Sequence, residues 1–135
     1  MLPRLICLAL LLSACAEAPG IEVQEARIRD LLPGRDTTAG YFTLRNNTGK
    51  PLTLVGASSP HARLIEMHIT VTNNDRVSMR RSEQHIIAPG QRLRFEPGGP
   101  HLMIFGVAKL IDPFPVTLLF ADGEQAEASF SKLLN

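Results

Sequence analysis

In the stretch EPGGPHLMIFG, Glu96 to Gly106, a turn-forming EPGG runs straight into His101-Leu102-Met103. In a strand, His101 and Met103 point to one face while Leu102 and Ile104 point to the other. Leu102 and Ile104 make the natural core face. An imidazole and a thioether are therefore left side by side on the face that is not core, which packing explains poorly. ARLIEMHIT follows the same logic. Ile65, Met67 and Ile69 share the core face, and Glu66, His68 and Thr70 share the other. Met67 is then a packing residue, whereas His68 faces outward or into a site. Met79 lies in RVSMRRS, alternating with Val77, and its spacing allows either core or site. A hairpin across VTNNDR brings the strands of His68 and Met79 together. His101 and Met103 could complete a cluster of two imidazoles and two thioethers. The plainer alternative is core methionine and surface histidine, both of which are common.

Such a donor set is chemically selective. Thioethers are soft, neutral ligands suited to Cu(I), while Mg²⁺ and Ca²⁺ require oxygens. Zinc more usually recruits thiolate or carboxylate beside histidine. A blue-copper electron-transfer centre needs a cysteine. The chain has two, Cys7 and Cys15, and both lie at its N-terminus. A copper-carrying role fits this set better than electron transfer. Proton competition for the imidazoles predicts that binding weakens in acid.

The elements that must hold these residues read as β-structure throughout. YFTLRN (41–46), PLTLVGA (51–57), ARLIEMHITV (62–71), QRLRFE (91–96), HLMIFG (101–106), FPVTLLF (114–120) and AEASF (126–130) are short and alternating or rich in β-formers. NNTGK, TNNDR, APGQ, EPGGP and ADGE separate them as turns. No stretch sustains helical periodicity. Short strands at this spacing predict an antiparallel sandwich or barrel.

The N-terminus is read differently. MLPRLICLALLLSAC has one basic residue, a short apolar run and then small residues, the pattern of a secretory signal. Leu12-Ser13-Ala14-Cys15 is similar to the bacterial lipoprotein cleavage box, in which the cysteine is lipidated; Ala14-Cys15-Ala16 also fits ordinary signal cleavage. The expected organisation is a signal over 1–14, lipidated Cys15 with a tether to residue 20, and a β domain over 21–135. Loss of the signal moves the formal charge from +1 to 0. The domain is then left without a thiol in an oxidising compartment. At 135 residues, 44% hydrophobic and 20% charged, the chain suits one globular domain. Neutral charge, 5% aromatics and no Trp give no nucleic-acid signature.

The order His68, ten residues, Met79, twenty-one residues, His101, one residue, Met103 resembles the signature of the periplasmic copper chaperones called PCuAC. AGYFTLRNNTGKPLTLVGASSP, IEMH, IIAPGQRLRFEPGGPHLMIFG and VTLLFADG are similar to that family too, so the likeness covers about Ile21 to Phe130. It implies a cupredoxin-like Greek-key β-barrel that binds one Cu(I) through His68, Met79, His101 and Met103. It also implies delivery to the dinuclear copper centre of cytochrome c oxidase, with subunit II or a Sco-type thiol protein as acceptor. The expected location is the periplasm, anchored through Cys15. The chain ends SFSKLLN, without the His- and Met-rich tail of some relatives, so no second copper is expected; it also has Pro100 where relatives often have an aromatic. His61 and His85 are expected on the surface. Copper sequestration and a metal-free envelope β-sandwich are the competing functions. An enzyme is not expected, because no nucleophile elbow or paired catalytic acids stand out.

Overall fold

A computed structural model describes residues 20–134. The signal segment and Cys15 lie outside the described residues. Ten strands follow in chain order: β1 (Ile21–Ile28), β2 (Thr38–Asn46), β3 (Leu52–Ser58), β4 (Leu64–Asn73), β5 (Arg76–Arg81), β6 (His85–Ile87), β7 (Arg92–Phe95), β8 (His101–Phe105), β9 (Phe114–Phe120) and β10 (Gln125–Lys132). Hydrogen bonding runs β5-β4-β8-β2-β1-β10-β9-β3-β6. Pairing of β3 with β4 at Ala57 and Ile65 then closes the path between β4 and β3 into a barrel. Most neighbours are not consecutive in the chain, and β1 pairs with β10 in parallel. The all-β, cupredoxin-like expectation holds.

Alternation fills the barrel. Phe42, Leu44, Leu54, Leu102, Ile104, Phe114, Leu118 and Phe130 are buried, each on the inward parity of its strand. Phe42 stacks on Phe95 at 4.5 Å and meets Phe130 edge-on at 5.9 Å. Asn46 is a buried exception with every valence used. Its Nδ2 donates to Lys50 O at 2.8 Å and Ile87 O at 2.9 Å, and its Oδ1 accepts from the Thr48 N–H and hydroxyl.

Two strands escape a reading by alternation. In β1, Gln24 and Arg27 bracket a register shift, and Glu25 between them has φ 53°. The extra residue of such a bulge moves the inward parity from Ile21 and Val23 to Ala26 and Ile28. β6 is three residues long and shows no period of its own.

The EPGGP segment has an unexpected setting. β7 pairs with β2 from Arg45 to Phe42, and β8 pairs with the same strand from Gly40 to Thr38. The two are halves of one strand line along β2, and residues 96–100 leave that line and return to it. Glu96 N–H donates to Pro100 O at 2.8 Å and Gly99 N–H to Glu96 O at 3.0 Å, closing the excursion. Gly98 takes φ 79° there, a conformation costly for other residues.

Candidate metal centre

β4 is the central strand of the site, flanked by β8 and β5. Register places His68 directly across from His101 on β8, and Glu66 across from Met103. On the other side, His68 faces Arg81 and Thr70 faces Met79. Cross-strand partners share a face. His68, His101, Met103 and Met79 therefore all lie on the face opposite Met67 and Leu102. Both methionines are diagonal neighbours of His68, a relationship that spans roughly 7–8 Å between strands. The two imidazole rings are 5.9 Å apart, centroid to centroid.

The hydrogen bonds assign both tautomers. His101 Nδ1 lies 2.9 Å from Gly99 O, within the excursion. A carbonyl only accepts, so Nδ1 carries the hydrogen and Nε2 keeps its lone pair. His68 Nε2 lies 2.8 Å from the Glu66 carboxylate. It donates to that oxygen, and Nδ1 keeps the lone pair. Both remaining atoms, His101 Nε2 and His68 Nδ1, are buried and have no hydrogen-bond partner. Buried polar atoms normally find one. Two bare imidazole lone pairs on facing residues, with thioethers on either side, fit a soft metal ion. Each histidine also donates its other N–H to an oxygen, as metal-bound histidines do.

Exposure grades the four residues. His101 is 4% exposed. His68 and Met103 are half-buried. Met79 stands apart on the edge strand, 61% exposed. Thr70 Oγ1 also reaches Gly99 O, at 3.5 Å, so the carbonyl that orients His101 is tied to the central strand. Beyond Phe105, Gly106 has φ 69°, and a Cβ there would come 2.5 Å from Arg63 Cβ, so this close crossing of β8 and β4 admits no side chain.

Met67 is 3% exposed and packs in the core, as alternation predicts. His61 is exposed. His85 differs from expectation: β6 sets it opposite Leu54, and its ring packs edge-on against Phe95 at 5.2 Å, half-buried. Burial without a partner for Nε2 pushes its pKa below the usual histidine value. Glu66, which alternation placed only on the face of His68, is the residue that pairs with that histidine. Its signal was its parity, two residues before His68 on the same face.

Among the described residues, no group of three His, Cys, Asp or Glu converges. No helix among them is long and apolar enough to cross a membrane. Comparison with known proteins agrees with this architecture. The copper-bound PCuAC domain from PmoF2 superposes with a TM-score of 0.71 at 20% identity, over 87% of this chain and 95% of that one. The Cu(I) form of DR1885 from Deinococcus radiodurans gives 0.67 at 28% identity, over 90% and 84%. "Putative lipoprotein Lxx21020" of Leifsonia xyli subsp. xyli is 31% identical over 111 residues, 79% of this chain. The chain spans 66% of that relative's length. Residues 21–131 match the family described as "Putative lipoprotein LpqE-like". On that match the chain belongs to the LpqE-like lipoprotein family, and its domain has the PCuAC fold.

Proposed function

We propose that this protein is an extracytoplasmic Cu(I) carrier, tethered through Cys15, that holds one copper ion with His68, Met79, His101 and Met103. The observation that carries the reading is the pair of buried, partnerless imidazole nitrogens on directly opposed residues. The copper-bound and Cu(I) forms among its structural neighbours support the choice of metal. Four neutral donors leave the charge of Cu⁺ uncompensated, and the Glu66 carboxylate behind His68 offsets it at one remove. Copper remains Cu(I) throughout transfer, because each donor bond from this chain is replaced by one from the acceptor. The acceptor is the dinuclear copper site of cytochrome c oxidase subunit II, reached directly or through a Sco-type thiol protein.

An anaerobic Cu(I) titration of the full chain against a chromophoric chelator tests the site. One equivalent should bind, and a Met79→Ala, Met103→Ala double variant should lose most of the affinity. Binding indifferent to both methionines would reduce them to packing residues. Transfer to the apo copper domain of subunit II then separates delivery from sequestration. A carrier passes its copper faster than free dissociation allows, whereas a buffer does not.

A further inference from the structure

The site face continues onto β5, which offers more than a ligand. β5 ends the sheet path, and among the described residues its outer edge pairs with no strand. All six of its residues are exposed. Val77, Met79 and Arg81 point to the site face as partners of Thr72, Thr70 and His68. Val77 is 70% exposed, so two apolar side chains stand in water beside the metal centre. Arg81 shares their face, while Arg76 and Arg80 project from the opposite face of the same exposed strand, and Arg63 lies just before β4. Among the described residues none of these four guanidiniums has a carboxylate within 4.0 Å. Glu66, the acid on this face, is engaged with His68. An apolar pair on an exposed edge strand that carries unneutralised arginines on both its faces suits docking, and arginine is enriched among residues that dominate such contacts.

We propose that β5 is the docking surface for an acidic protein segment that receives the copper, with Met79 the first donor released. This rests on the copper reading. The charge of the strand selects the partner: its three unpaired cations attract an acidic segment, repel a second copy of the same strand, and raise the rate of encounter. The exposure gradient sets the order of exchange. Met79, at the open edge, gives way to an incoming soft donor first, and His101, enclosed by the 96–100 excursion, gives way last. The incoming segment must itself carry thioether or thiolate, since these suit Cu(I). Each copper–donor bond broken on this chain is matched by one formed on the partner, with no change of oxidation state.

The test follows transfer from the Cu(I)-loaded full chain to two synthetic peptides. Both carry the same pair of methionines, flanked by glutamates in one and by lysines in the other. Transfer to the acidic peptide should be about tenfold faster at low salt, with the advantage largely lost at high salt. An Arg76→Ser, Arg80→Ser variant should lose most of that advantage while its Cu(I) affinity stays within about twofold of the parent, because both side chains point away from the site face. Equal rates to both peptides, with normal copper binding, would overturn the docking proposal and leave the copper reading standing. Failure to bind Cu(I) at all would remove both. Two further outcomes would reassign the face. If the arginine substitutions break a dimer, it belongs to a second copy. If they abolish binding to phosphatidylglycerol vesicles without changing peptide transfer, it belongs to a membrane.

Discussion

Glu66→Ala removes the acceptor that holds the His68 tautomer. In the native site the carboxylate takes the Nε2 hydrogen at 2.8 Å, which leaves Nδ1 bare. Without it, the ring can turn or carry its hydrogen on Nδ1, and either change withdraws the lone pair from the face. Charge contributes as well. A carboxylate one imidazole away acts on the metal across roughly 7 Å, worth about 0.6–2.4 kcal/mol for an effective dielectric between that of water and 20. Both side chains are well under a third exposed, 21% for Glu66 and 16% for His68, so screening is partial. Together these predict a loss of about 1.5–2.5 kcal/mol, or roughly 10- to 70-fold in Cu(I) affinity, within the range for residues that orient metal ligands. Glu66→Gln keeps an acceptor oxygen and loses the charge, so it should fall between the two. Competition with an anaerobic chelator measures the affinities, and ¹⁵N chemical shifts of the apo protein report which His68 nitrogen carries hydrogen. An Ala variant that binds within twofold of the parent, or keeps the Nε2-H tautomer, would refute the reasoning.

Three other substitutions probe the scaffold. Met67→Leu should leave Cu(I) affinity within about twofold and cost less than about 1.5 kcal/mol in urea unfolding, because Met67 is core; a large loss of copper would make it a ligand. Asn46→Ala strips hydrogen bonds from Lys50 O, the buried Ile87 O and Thr48 N–H, and should cost about 2–4 kcal/mol. A cost below about 1 kcal/mol would show that water replaces the side chain. Half-burial of His85, whose Nε2 has no partner, holds its pKa below the ordinary 6.5. The unfolded chain takes up the proton first, so this contribution to stability is complete above pH 6.5. It is lost as pH falls toward the lowered native value. His85→Gln should flatten that part of a stability profile, and an unchanged profile would acquit the residue.

Much of the site was legible because alternation in strands is a strict rule. The parity of His68 against Met67, and of His101 and Met103 against Leu102 and Ile104, placed each of the three on the non-core face of its own strand without any knowledge of strand order. Met79 was undecided by parity, because β5 is exposed on both sides and its sequence has no core face to read against. What joins β4 to β8 is long-range pairing, invisible locally; it came into view only through the likeness of the spacings to a known family. The β1 bulge hid a strand by shifting its period midway, and β6 was too short to have one. The environment of His85 depended on Phe95, ten residues away, which no local pattern records.

The 96–100 excursion separates two jobs that a strand usually combines. Because β7 and β8 both lie along β2, the ladder on either side of the loop is fixed whatever the loop contains. Its length and composition are therefore free to change without disturbing the order of the barrel. Yet it is this loop that supplies the carbonyl orienting His101. Relatives can thus diverge in how deeply they enclose their cargo by altering five residues, with the fold unaffected. An engineer could graft other loops between Phe95 and His101 to retune metal retention while leaving the four proposed ligands in place.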